Sequence, residues 1–221
     1  MITNGVLKKI MAKKAIETIP EKMFWQEFLK VSEEILDGKK FVINAENKKI
    51  VATIFRYFAG SEHFNEFGLI KNNPDLNKGL LISGNIGVGK TLLMEIFQKT
   101  GIQIYKKYGI KRTLFTRGIS CGNFVSDFMN STKISTDFNL KSYEKGTLFI
   151  DDLGVETLAF NQYELLEKVL FERYRNEAKS FITTNLTMLE ILERYGVRVA
   201  DRLPEMCNII NWRGTSFRTN L

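Results

Sequence analysis

The sequence predicts an α/β domain built on a parallel sheet of five strands with helices on both faces, preceded by a small helical extension. Three observations carry this expectation. The apolar run Gly79-Leu80-Leu81-Ile82-Ser83 leads into a glycine-rich turn and then into the helical pattern Leu92-Leu93-Met94-Glu95-Ile96-Phe97. Two more apolar runs, 146–150 and 180–184, end in polar groups, Asp151-Asp152 and Asn185. Strand-like runs alternate with stretches of helical spacing, which is what parallel strands require, because each pair needs a long crossover.

At 221 residues and 25.5 kDa the chain suits one full α/β domain that buries about 70% of its unfolded surface. A second large domain does not fit. Residues 1–14 carry lysines at 8, 9, 13 and 14 but no apolar run long enough for a signal-peptide core, and no stretch elsewhere approaches a membrane span. Pro20 opens a predicted helix over 21–37, with Phe24, Trp25, Phe28, Leu29, Ile35 and Leu36 near helical spacing and Gly38 as its stop. Residues 1–40 are therefore read as a helical N-terminal arm and 41–221 as the main domain. The arm's aromatic face is expected to pack on the protein's own core, with a partner-docking surface as the alternative.

A second helix is predicted over 46–58, with Ile50, Val51, Ile54 and Phe55 along one side. Turn chemistry at 72–75 marks the entry to the first strand. Beyond the glycine-rich turn the expected order is strand 113–116, helix 123–129, strand 147–150, helix 161–175, strand 180–184, helix 188–194 and strand 207–212. Right-handed crossovers stack these as successive βαβ units. Cys121 and Cys207 lie far apart with no CxxC partner, and His63 is the single histidine. Both cysteines are expected to be buried thiols in a reducing cytoplasm, and a zinc site would have to be built almost wholly from carboxylates.

The turn itself, Gly84-Asn85-Ile86-Gly87-Val88-Gly89-Lys90-Thr91, is a phosphate-binding loop in its required setting of strand, turn and helix. Its glycines allow backbone conformations in which successive N–H groups point at phosphate oxygens, while the following helix adds its positive dipole end. Residues 84–92, including Leu92, are the expected cradle for a nucleoside triphosphate. Lys90 is placed to reach the terminal phosphates and the Thr91 hydroxyl to hold Mg²⁺.

Open α/β sheets do their chemistry outside the carboxyl ends of the strands. Asp151 is there the expected Mg²⁺-side ligand, largely through water, and Asp152 the group that orients or deprotonates an attacking water. Glu156 is a further carboxylate in the following loop. Asn185 has two readings, a contact to phosphate or water and a helix cap for the segment from Thr187 onward.

Net charge is +7, and its distribution is uneven. No acidic residue lies between Glu95 and Asp127, while Lys99, Lys106, Lys107, Lys111, Arg112 and Arg117 fall there, interleaved with Tyr105, Tyr108 and Phe115. A basic stripe with aromatics suits nucleic-acid backbone and stacked bases. Lys106, Lys107, Lys111, Arg112 and Arg117 are the candidate contacts. The competing reading is a solvated helix end whose lysines complement the dipole.

The ordered motifs resemble those of AAA+ ATPases, and within them the DnaC/DnaI helicase loaders and the related transposition helper ATPase IstB. The resemblance spans about residues 77–218. It rests on Gly84 to Thr91, on Leu148-Phe-Ile-Asp-Asp152-Leu-Gly154, on Ile182-Thr-Thr-Asn185-Leu, on Val197-Arg-Val-Ala-Asp-Arg202-Leu, and on Trp212-Arg-Gly-Thr-Ser-Phe-Arg218. It implies ATP and Mg²⁺ as cofactors, Asp151 and Asp152 as Walker B acids, and Asn185 as sensor 1. It further implies Arg202 as an arginine finger acting in a neighbouring subunit, with Arg198, one turn earlier on the same face, as second candidate. Hydrolysis would then be gated by self-association into an open or helical oligomer, since a lone subunit lacks the last positive charge for the transition state.

Two departures shape the expectation. The acid pair is Asp-Asp where many AAA+ proteins have Asp-Glu, which implies slow turnover, and the chain stops soon after Trp212, which implies that there is no C-terminal helical lid. The resulting reading is an ATP hydrolase of DNA replication, a helicase loader that binds single-stranded DNA and a replicative helicase. The alternative is an IstB-like ATPase that binds duplex DNA and recruits a transposase. A single-subunit small-molecule kinase and a nucleotide-dependent scaffold without turnover are the readings from other classes.

Overall fold

Strands β1 (Gly79–Gly84), β2 (Gly118–Ser120), β3 (Leu148–Leu153), β4 (Ser180–Thr184) and β5 (Cys207–Trp212) form one sheet in the order β2-β3-β4-β1-β5, and every pairing is parallel. The structure, a computed structural model, describes residues 16–131 and 138–218. The helices are α1 (Glu21–Ile35), α2 (Lys48–Ala59), α3 (Lys90–Tyr108), α4 (Cys121–Ser131), α5 (Leu165–Arg175) and α6 (Met188–Met206), with a 3₁₀ turn at Leu140–Tyr143. The lysine-rich stretch 1–14 lies outside the described residues.

The pleat sorts the strand residues into two apolar layers. Leu80, Ile82, Phe149 and Phe181 join α1, α2 and α3 in one cluster, while Leu81, Leu148, Ile150 and Ile182 join α4, α5 and α6 in the other. Neighbouring residues thus face opposite layers, and a sheet covered on both sides reads as continuous apolar runs. This is why the central strands could be read from the sequence.

The aromatic face of α1 points inward. Phe24 stacks on Phe55 at 4.7 Å between ring centroids, Phe28 lies 5.0 Å from Phe97, and both Phe24 and Phe28 are fully buried. Each such burial is worth roughly 1.5–3 kcal/mol. Gly38 follows at φ 83° and Gly60 caps α2 at φ 79°, left-handed positions where glycine ends a helix at least cost.

Three boundaries differ from expectation. Residues 113–116 are not a strand: Leu114 N–H donates to Lys111 O in a turn, and Thr113 and Phe115 are buried beneath it. Their apolar pattern reports packing of a loop, and the edge strand begins at Gly118, just after the bond from Phe149 N–H to Arg117 O. The helix expected from 161 starts at Leu165, because Phe160 and Asn161 take left-handed φ of 53° and 58° in a turn closed by an Ala159–Tyr163 bridge. The helix expected to stop at 194 continues to Met206 through a kink at Gly196 (φ 78°, ψ 167°), and Pro204 lies within its last turn. No helix among the described residues is long and apolar enough to cross a membrane.

Candidate nucleotide-binding site

A cleft of about 530 Å³ opens at the carboxyl ends of β1, β3 and β4. Its volume lies within the ~300–1,000 Å³ usual for small-molecule sites. Gly87, Gly89, Lys90 and Thr91 line one side, Asp152 and Asn185 the floor, and Phe41, Val42, Trp212 and Phe217 an apolar wall. Residues 41–42 line this wall, whereas Gly79 sits inside the sheet, where a Cβ would fall 1.8 Å from Ser180 O.

The loop is shaped by its glycines and by what packs on it. Gly87 (φ 80°) and Gly89 (φ 96°) are left-handed, and a Cβ on Gly87 would meet the Ser216 hydroxyl at 2.1 Å. The C-terminal segment is tied across the loop: Phe217 N–H donates to Gly87 O, the Asn85 amide to Gly214 O, and Thr215 N–H to Glu46 at the head of α2.

Lys90 is buried at the first turn of α3, its ammonium donating at 2.8 Å to Gly84 O, Asn85 O and Asn185 Oδ1. Burial holds the ammonium below the usual lysine range, Asp152 and Asp151 oppose that, and Arg218 adds to it. The cap reading of Asn185 does not hold, since Thr187 caps α6 in a capping box with Glu190. Asn185 instead joins β4 to the phosphate loop through Lys90.

The two aspartates differ in role and conformation. Asp151 Oδ1 accepts hydrogen bonds from Thr91 Oγ1 at 2.8 Å and Thr183 Oγ1 at 2.6 Å. Asp152 has a left-handed φ of 54°, and its side chain faces the cleft. Burial raises its carboxyl above the ordinary aspartate range, Asp151 adds to this, and Lys90 and Arg218 oppose it.

Glu156 is not a second cleft carboxylate. It is buried against α6, accepting hydrogen bonds from Tyr195 Oη and from Gly154 N–H, with Arg194 3.4 Å away.

Arg202 and Arg198 lie on the second segment of α6, outside this chain's own cleft. Arg198 is exposed, and Arg202 donates to Arg198 O and lies over the rings of Phe171 and Tyr174, 5.3 and 5.0 Å from their centroids. Glu205, on the same helix, accepts from Tyr174 Oη at 2.8 Å.

Of the five basic candidates for DNA, four have partners within the chain. Lys107 pairs with Glu27 at 2.6 Å, and Lys111 lies 5.9 Å from the Tyr105 ring. Arg117 stacks on Tyr143 at 3.8 Å and donates to Ser142. Arg112 is half-buried, its guanidinium packed on Tyr57 and donating to Tyr57 O. Lys106 remains exposed beside Tyr105 and Tyr108.

Sequence reasoning assigned no role to Thr183 or Arg218. Arg218 ends the last of the ordered motifs, and only the folded segment brings it to the cleft. The donors present fit a magnesium-bound nucleoside triphosphate. The Thr91 hydroxyl and Asp151 carboxylate are adjacent hard oxygens, and among the described residues no group of three or more His, Cys, Asp or Glu makes a free-standing metal site. Such a cation is held through one or two protein oxygens with phosphate and water completing its shell.

No protein-family model matches the chain, and no functionally curated protein matches it. Solved structures do. A DnaC helicase loader aligns over 86% of this chain and 99% of its own, with 22% identity and a TM-score of 0.55. A putative primosome component from Streptococcus pyogenes serotype M3 aligns over 80% and 84%, with 18% identity and a TM-score of 0.51. A replication initiator DnaA bound to AMPPCP and single-stranded DNA aligns over 79% of this chain and 49% of its own, with 16% identity and a TM-score of 0.51. At these identities the likeness is one of fold. The sheet order and the phosphate loop define a P-loop nucleotide-binding core, and these neighbours share its fold. Within that class the fold is DnaC-like.

Proposed function

We propose that this protein is an oligomerising AAA+ ATPase of DNA replication, a DnaC-like helicase loader that binds ATP with Mg²⁺ and single-stranded DNA. The observation that carries the reading is the convergence of Lys90, Thr91, Asp152 and Asn185 on one cleft of nucleotide size, with Asp151 bonded to Thr91, in a fold that matches the solved chain of a helicase loader over nearly its whole length. The DnaA neighbour, bound to a nucleotide analogue and single-stranded DNA, supports both ligands.

When bound, Mg²⁺ would neutralise developing phosphate charge. The chain's own residues do the rest. Backbone N–H groups of the loop and Lys90 hold the phosphates, Asn185 exchanges its Lys90 contact for phosphate or water, and Asp152, facing the cleft, accepts a proton from the attacking water. The raised Asp152 carboxyl brings its proton affinity nearer to that task. Arg202, half-buried on α6, reaches a second copy's cleft by leaving the Phe171 and Tyr174 rings, with exposed Arg198 beside it. DNA contact falls to Lys106 and Lys111, with Lys107 and Arg117 released from their present partners. The side of the N-terminal arm opposite the buried Phe24 and Phe28 is assigned to the helicase.

The test is ATP turnover against protein concentration, with and without single-stranded DNA, alongside Arg202→Ala. Specific activity should rise with concentration or DNA, and the variant should lose about 10³-fold or more. Turnover that is independent of concentration and intact in Arg202→Ala would overturn the shared-site reading.

A further inference from the structure

Where β3 runs beside β4 the register breaks. Leu148, Phe149 and Ile150 pair with Ser180, Phe181 and Ile182 in step, and the next pairing is Leu153 with Thr184. Asp151 and Asp152 together therefore oppose the single residue Thr183. This is a β-bulge, a device rare between parallel strands that re-aims a side chain. It turns Asp152 into its left-handed backbone conformation, which costs a non-glycine residue of order 1–3 kcal/mol and needs surrounding structure to hold it.

One fully buried hydroxyl supplies that hold. Thr183 Oγ1 donates to Asp151 Oδ1 at 2.6 Å and accepts from Asp152 N–H at 2.9 Å. A hydroxyl can donate and accept at once, and the β-branch of threonine restricts the torsion that aims it. Asp151 Oδ1 has a second hydroxyl partner in Thr91, but Thr91 is the residue that must turn to a cation. The Thr183 bond is then the one that stays.

We propose that Thr183 is a positioning residue for both acids, fixing the Asp151 carboxylate for a nucleotide-bound divalent cation and the Asp152 backbone for its cleft-facing conformation. This rests on the ATP and Mg²⁺ reading above. Loss of an outer partner of a metal ligand typically costs about 10- to 100-fold in metal affinity.

The experiment measures binding of a fluorescent ATP analogue to the full chain, once in EDTA and once across a Mg²⁺ titration, for wild type, Thr183→Val, Thr183→Ser and Thr183→Ala, with thermal unfolding in EDTA as the folding control. Wild type and Thr183→Ser should gain affinity on adding Mg²⁺ with similar midpoints. Thr183→Val, of similar shape without the hydroxyl, should need about tenfold more Mg²⁺ or more while its affinity in EDTA stays within about twofold. If the valine variant does not fold, the serine and alanine pair decides on the same criterion. Unchanged Mg²⁺ midpoints in folded variants lacking the hydroxyl overturn the proposal and leave the ATP reading standing. A wild type that binds the analogue with no response to Mg²⁺ overturns both.

Discussion

Both ends of the sheet bury cations, and they do so in opposite ways. At the amino-terminal ends of the strands, Arg173 is fully buried and donates to five oxygens: Ser180 Oγ and the carbonyls of Tyr143, Lys145, Gly146 and Lys179. Lys179 lies there over Tyr57 and donates to Leu76 O, and burial brings it down to about 8. At the carboxyl ends, Lys90 is also buried and also donates to backbone carbonyls, but it faces two carboxylates and an open cleft. Burial of a charge alone does not mark a functional site. What separates the two is whether the partners are a closed set that holds loops together or an open set that a ligand can replace.

The sharpest break of that contrast is a pair of methionine substitutions. Arg173→Met should destabilise the fold by about 3–5 kcal/mol, because several buried carbonyls lose a charged donor at once. Nucleotide affinity of the remaining folded protein should change little. Lys90→Met should do the reverse, weakening nucleotide binding by roughly 30- to 100-fold through loss of charge-assisted bonds, with the midpoint of chemical unfolding unchanged or raised. Burial lowers the lysine's proton affinity in the folded state, so the wild-type penalty is present below the depressed value and relieved as pH rises from it to the ordinary 10.5. Denaturant melts and a nucleotide titration on both variants check this. An unstable Lys90→Met or a nucleotide-blind Arg173→Met would erase the distinction.

The sequence was legible where local rules and tertiary packing agree. Leu80 to Ser83, Leu148 to Ile150 and Phe181 to Thr184 are covered on both faces, and their apolar runs announce buried parallel strands. The phosphate loop and acid pair were legible because each needs contiguous residues. What depends on residues distant in sequence was not. The Thr183 bulge needs the relative register of two strands, and Arg218 reaches the cleft only because Asn85, Gly87 and Glu46 tie down its segment. The intrachain partners of the basic stripe were hidden for the same reason. Glu27 sits 80 positions before Lys107 in sequence, and no spacing rule connects Arg112 with Tyr57.

A third charged cluster, beside the cleft but outside it, gives the mildest test of the comparison. Glu156 and Glu164 share Arg194, 3.4 and 3.3 Å away, where the loop after β3 meets α6. Burial and the neighbouring Glu156 push the Glu164 carboxyl up to about 7 despite Arg194. The folded chain then keeps this proton over an interval, from the ordinary 4.5 to about 7, in which the unfolded chain has released it. Stability from this group is therefore complete below 4.5 and falls as pH rises through about 7. Glu164→Gln keeps an oxygen for Arg194 but cannot titrate, so its melting temperature should fall less than that of wild type between pH 5 and pH 8. The effect should be small, because the group is partly solvated and screened. A variant whose melting temperature tracks wild type across that interval would show that Arg194 holds Glu164 ionised, and would place this cluster with the closed, structural set at the other end of the sheet.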